Sequence, residues 1–123
     1  MKPYNLLFVE DEVDIQKVVE LYLKEHPSII YHIVNTGEEA LQLIDNNEID
    51  IIVTDFILGT GINGAELLEK VKKLKPNIFR YLLTGVIDNK LIQEAKLRAE
   101  PVRIFEKPLI IEDIISEITQ KLS

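Results

Sequence analysis

The stretch that most constrains this chain is Ile51-Ile52-Val53-Thr54-Asp55-Phe56-Ile57-Leu58-Gly59. Ile51 to Val53 form a continuous β-branched apolar run that leads through Thr54 to a carboxylate and is broken soon after by glycine. A strand with one wetted face would alternate, so an unbroken run fits a strand covered on both faces, as in a parallel sheet. Parallel neighbours need crossover connections, so the same run demands helices on either side. In open α/β sheets the carboxyl ends of the strands border the ligand crevice, which places Asp55 on that edge. Taken alone, Asp55 could equally be a turn-capping aspartate.

Other stretches repeat the arrangement. Leu6-Leu7-Phe8-Val9 is a second buried-strand run and leads into Glu10-Asp11-Glu12. Ile15, Val18, Val19 and Tyr22 then recur at helical spacing before Pro27. Ile29 to Val34 supply a strand, and Thr36-Gly37-Glu38-Glu39 carries the capping-box pattern of a helix with Ala40, Leu43 and Ile44 inward, ended by Asn46-Asn47. After the loop Gly59-Thr60-Gly61-Ile62-Asn63-Gly64, Asn63 is the expected N-cap of a helix facing inward through Leu67, Val71 and Leu74 and stopped by Pro76. Phe79 to Leu83 form a strand that delivers Thr84-Gly85. Asn89 to Ala99 read as a less apolar helix with Ile92 and Ala95 inward, and Val102 to Phe105 as a last strand ending in Glu106-Lys107-Pro108. Ile111, Ile114, Ile115, Ile118 and Leu122 make a strongly amphipathic closing helix. Strand and helix alternate throughout, which predicts one α/β domain over residues 1–123 with helices on both faces of a parallel sheet.

Composition excludes several classes. The formal net charge is −7, from 21 acidic and 14 basic residues, which argues against a phosphate-backbone binder and direct nucleic-acid contact. The Lys70, Lys72, Lys73 and Lys75 group then reads as the solvated face of a helix. No cysteine is present, so thiol nucleophiles, disulfides and cysteine-ligated metals are ruled out. No apolar run approaches the length of a membrane span or signal peptide, so no membrane contact and a cytoplasmic location are the expectation. His26 precedes a proline and His32 lies within a strand, and neither has a paired base beside it.

Four polar features therefore fall at carboxyl ends of predicted strands: the Glu10-Asp11 pair, Asp55, Thr84 and Lys107. Each has a plain structural reading of its own: the acids begin a helix, Thr84 caps one, and Lys107 is a solvated strand-end charge. Their coincidence on one edge is the stronger observation.

These residues, in this order and spacing, resemble the receiver domain of two-component response regulators, chemotaxis-regulator-like, over Asn5 to Leu122. The resemblance implies a flavodoxin-like doubly wound sheet of five strands in the order 2-1-3-4-5 with five helices, and a site at the switch point between the first and third strands. It implies Asp55 as phosphoacceptor, Thr84 and Lys107 as its partners, and Mg2+ as cofactor, held by Asp55, Asp11, Glu10 mainly through metal-bound water, and the Ile57 backbone carbonyl. It implies a phosphoprotein in a phosphorelay, which promotes only its own phosphorylation and dephosphorylation and is otherwise no enzyme. The partners it implies are a histidine kinase or histidine phosphotransfer protein and a downstream protein or fused output domain, with phosphorylation-dependent dimerisation allowed. The chain ends just after the closing helix, an expectation that covers both a stand-alone regulator and a piece of a larger one.

Departures from the family pattern are specific. Gly59 stands where proline is usual, Gly64 comes about one residue late, and Ile104 occupies the position of the usual aromatic switch residue, with Phe105 pointing to the opposite face. Ile57 and Val86, which flank the path of the hydrolytic water in this family, are apolar. The alternatives are a non-phosphorylated pseudo-receiver interaction module and an aspartyl-phosphate hydrolase. The hydrolase would want a second aspartate where Ile57 stands.

Overall fold

Each apolar run that precedes a polar tip is a strand. A computed structural model describes residues 3–85, 88–108 and 111–122. Its elements are β1 (Tyr4–Val9), α1 (Val13–Leu23), β2 (Ile29–Val34), α2 (Gly37–Asn46), β3 (Ile51–Asp55), α3 (Gly64–Leu74), β4 (Phe79–Thr84), α4 (Asn89–Ala99), β5 (Arg103–Glu106) and α5 (Ile111–Leu122). All strand pairs are parallel, in the order β2-β1-β3-β4-β5. This is the flavodoxin-like order that the family resemblance implies.

Alternate strand residues feed two cores. Leu7, Val9, Ile52 and Leu82 point to the side covered by α2, α3 and α4. Leu6, Phe8, Ile51, Val53, Tyr81 and Leu83 point to the side covered by α1 and α5. Ile104 and Phe105 obey the same alternation: Ile104 packs on the first core and Phe105 on the second, stacked on Tyr81 at 6.0 Å. The unbroken apolar runs thus arise because both faces of the central strands are dry.

Helix starts follow their capping chemistry. The Thr36 hydroxyl accepts from Glu39 N–H, and Asn63 forms a complete capping box with Glu66. Two helix faces and one strand boundary depart from expectation. In α1 the buried line runs through Val19 and Leu23, while Val18 and Tyr22 are exposed. In α3, Leu67, Leu68 and Val71 are fully buried, and Leu74 is exposed. Leu74 sits about 60° around the helix from Val71 at its last residue, where it borders an open cleft below the sheet. The last strand is shifted by one residue relative to the expected Val102–Phe105, and Val102 is exposed. Transfer of the three buried α3 side chains from water contributes about 1.5–3 kcal/mol each, so α3 is firmly seated. By contrast α4 buries only Ala95 and Ala99, with Ile92 half-buried.

Candidate functional site

Register converges the strand tips. Val9 pairs with Thr54 and Asp55 with Leu83, so Glu10 and Asp11, one and two residues past β1, lie beside Asp55 at the end of β3. Thr84 pairs with Glu106, and Lys107 N–H donates to the Thr84 carbonyl at 2.9 Å, which draws the end of β5 in towards the same edge. Beyond Asp55 the ladder continues for one step, with Phe56 N–H on the Leu83 carbonyl at 2.8 Å.

The structure brings the side chains of Glu10, Asp11, Asp55 and Lys107 together, and places Thr84 at the end of the neighbouring strand. Ligand oxygens of Glu10, Asp11 and Asp55 lie within 4.8 Å of one another, and among the described residues no other trio of His, Cys, Asp or Glu converges in this way. Lys107 Nζ donates to Asp55 Oδ2 at 2.7 Å. Glu10, Asp55 and Thr84 are buried, at 1%, 5% and 1% exposure, while Lys107 is half-buried. Ile57 follows two residues after Asp55 with its side chain exposed. Val86, the other residue expected beside the water path, lies outside the described residues, as does Ile87 of the adjoining loop.

Electrostatics at this edge is unbalanced. Burial, reinforced by the Asp55 charge, pushes the Glu10 carboxyl up to about 7, against the opposing pull of a Glu12 N–H bond and of Lys107. Burial alone would lower the Lys107 ammonium pKa, but the hydrogen bond and charge of Asp55, with Glu10 and Glu12, outweigh it and hold it above the ordinary lysine value. Three carboxylates share one nearby ammonium. A small dication fits such a donor set, because hard cations of this kind take carboxylate oxygens and complete their shell with water and carbonyls. The donor set fits Mg2+: Glu10, Asp11 and Asp55 would hold it.

Two further features support the site. The Gln16 amide donates to the Glu10 carbonyl and to Asn35 Oδ1, tying the turn after β1 to the loop after β2. Gly64 lies so close to the Asp55 carbonyl that a Cβ there would collide with it, and its N–H donates to the Phe56 carbonyl at 2.8 Å. The loop that leaves Asp55 therefore returns to the backbone of the same residue. A glycine at the first position of a helix is only a weak hint of such closeness.

The geometry has counterparts. Residues 6–119 match the response regulator receiver domain family. The signal receiver domain of an HD domain-containing protein from Pseudomonas fluorescens Pf-5 superposes with a TM-score of 0.90 at 28% identity, covering 99% of this chain and 95% of that one. A response regulator receiver domain protein from Methanospirillum hungatei JF-1 gives 0.87 at 27% identity, covering 98% and 94%. Regulatory protein VanR of Enterococcus faecium is 37% identical over 68 residues, which are 55% of this chain and 29% of VanR. The chain spans about a third of the length of the first curated relatives it matches. With its residues 6–119 matching the family model, and with an acidic trio and a lysine gathered at the carboxyl edge of a five-stranded parallel sheet, the chain belongs to the response regulator receiver domain family.

Proposed function

We propose that Asp55 is the phosphoacceptor of this receiver domain, in a Mg2+-dependent reaction with a histidine kinase or histidine phosphotransfer protein as donor. The observation that carries the reading is the buried Asp55 carboxylate, joined to Lys107 at 2.7 Å and clustered with Glu10 and Asp11. In the transfer, an Asp55 carboxylate oxygen bonds to phosphorus as the phosphorus–nitrogen bond of the donor phosphohistidine breaks. The imidazole nitrogen keeps the electron pair and takes up a proton. An acyl phosphate results.

Most of the work is positioning and charge. Lys107 holds Asp55 in place and supplies positive charge beside the transferring oxygens. Glu10 and Asp11 would hold Mg2+, which would supply charge neutralisation at the acceptor and the phosphoryl group. The Ile57 carbonyl is a further oxygen on the loop side. Thr84, on the neighbouring strand tip, offers its hydroxyl to the phosphoryl group once it is attached. The exposed, apolar Ile57 side chain cannot orient a hydrolytic water by hydrogen bonding, which favours a long-lived acyl phosphate.

Receiver domains act through contacts with kinases and output domains. In this chain α4 buries only Ala95 and Ala99, with Ile92 half-buried and the exposed Arg98–Glu69 pair joining it to α3, and it is the helix displaced when Thr84 moves. Ile104 has no ring to swing into the space that Thr84 leaves. The downstream partner, a separate protein or a fused output domain, reads that displacement, and the domain turns over no substrate other than its own phosphoryl group.

Intact mass after incubation with acetyl phosphate tests the reading. A gain of one phosphoryl group that needs Mg2+ and is lost in Asp55→Asn is expected. An unmodified mass under all conditions would leave a pseudo-receiver, and steady phosphate release from unrelated phosphomonoesters would indicate a hydrolase.

A further inference from the structure

The loop between β3 and α3 touches the acidic trio from outside. Gly59 has φ +74°, and Thr60 N–H donates across it to the Leu58 carbonyl at 2.8 Å, the pattern of a three-residue γ-turn that glycine tolerates best. A Cβ at Gly59 would stand 2.6 Å from Asp11 Oδ2. The Asp11 carboxylate therefore lies directly against the bare face of this glycine. Gly61 also has a left-handed φ, +73°. Two such glycines so close together carry little conformational preference of their own, so something outside the loop must hold it where it meets Asp11.

The start of α2 does so. Gly37, the first residue of α2, is buried, and a Cβ there would meet Ile62 Cγ1 at 2.6 Å. The Ile62 side chain is thus seated in the notch that Gly37 leaves, and it packs onto the core formed by α2, α3 and α4. Beside it Glu38 Oε2 accepts from Ile62 N–H at 3.3 Å, and the Glu38 carboxylate occupies the place a Gly61 side chain would need. The apolar seat is the stronger anchor, because the Glu38 contact is long and solvent-exposed.

We propose that Ile62, seated on Gly37, is a positioning residue for the acidic cluster: it holds the glycine loop against the Asp11 carboxylate and thereby sets the affinity of the cluster for a divalent cation. The inference rests on the metal-site reading above. Ile62 touches neither the cation nor the acceptor. It acts through the Gly59 backbone, which limits how far Asp11 can turn away from Glu10 and Asp55.

The test uses Mn2+ alone as probe, with free Mn2+ measured by electron paramagnetic resonance and thermal unfolding of the metal-free protein measured in parallel. Ile62→Ala is expected to weaken Mn2+ binding about tenfold, the range found when groups that orient metal ligands are removed. Ile62→Val keeps a β-branched side chain in the seat and should bind as the wild type does. Gly59→Ala pushes on Asp11 directly and should weaken binding as much or more, and the Ile62→Ala/Gly59→Ala pair should lose less than the sum, since both act on one carboxylate. Should Ile62→Ala fail to fold, the comparison passes to Ile62→Thr, which keeps the branched shape but seats poorly in an apolar notch and is expected to weaken binding too. A lower unfolding temperature with unchanged Mn2+ affinity in the Ile62 variants would overturn the inference while leaving the metal site standing. No Mn2+ binding by the wild type, or binding undiminished in Asp11→Asn, would overturn the metal-site reading and the inference together.

Discussion

The two ends of the parallel sheet handle charge in opposite ways. At the amino ends of the strands, Asp50 accepts the Asn5 N–H through its side chain at 2.8 Å, its own N–H donates to the Asn5 carbonyl, and its carbonyl accepts from Phe79. Nearby, the Arg80 guanidinium reaches the carbonyls of Pro76, Ile78, Ala99 and Glu100. Charges there are matched to backbone groups and stitch strand to loop. At the carboxyl ends three carboxylates crowd around one lysine, two of them buried, and Glu10 is pushed towards its neutral form. One end of the sheet serves stability; the other holds charge against it, and a dication or a phosphoryl group has work to do only at the second.

Substitutions should separate the two ends. The largest effect is expected for Lys107→Ala, which removes the ammonium bonded to the acceptor: acetyl phosphate labelling should slow by about 10²-fold or more, the scale for losing a group that stabilises transferring charge, while Mg2+ binding is spared. Labelling at the wild-type rate would remove Lys107 from the site. Next comes Asp11→Asn. Losing orienting groups alone costs about 10–100-fold in metal affinity, so losing a ligand should cost at least about tenfold in a Mg2+ titration, and labelling should fall with it.

The pH dependence comes third in size. Because the folded Glu10 carboxyl titrates near 7 against an ordinary value of 4.5, the folded metal-free protein binds its proton more tightly than the unfolded chain does. This stability is fully present below about pH 4.5 and is lost as pH rises through 7, by about 1–3 kcal/mol. Denaturant titrations of metal-free wild type and Glu10→Gln should therefore diverge between these limits, with the variant gaining in relative stability as pH rises. Parallel pH profiles would show that Glu10 is not held at such a cost. The smallest effect belongs to the other end: Asp50→Ala loses the bond to Asn5 N–H and should cost about 1 kcal/mol of stability with labelling unchanged. A labelling defect there would show that the two ends are coupled.

How much of this was legible in the sequence depends on what each residue answers to. Glu10, Asp55, Thr84 and Lys107 could be read because each ends or follows an apolar run, and chain direction then assigns them to one edge whatever the details of packing. Thr36 and Asn63 could be read because capping is local. Leu74, Val18 and Tyr22 are exposed against expectation because apolar spacing marks a stripe on a helix without saying which part of it a neighbour covers, and the full burial of Leu68 is hidden in the sequence for the same reason. The seat of Ile62 on Gly37 and the bare face that Gly59 turns to Asp11 left no periodic trace, since they join segments that only the fold brings together. The glycines of that loop could be seen as a departure from the family pattern; what they make room for could not.

The central claim is that Asp55 itself becomes the acyl phosphate. Borohydride reduces an aspartyl phosphate to homoserine, so peptide mass spectrometry after labelling with acetyl phosphate and reduction locates the acceptor directly. The account predicts homoserine at position 55, dependent on Mg2+. Homoserine at another aspartate, or conversion at 55 that proceeds equally without the metal, would contradict it.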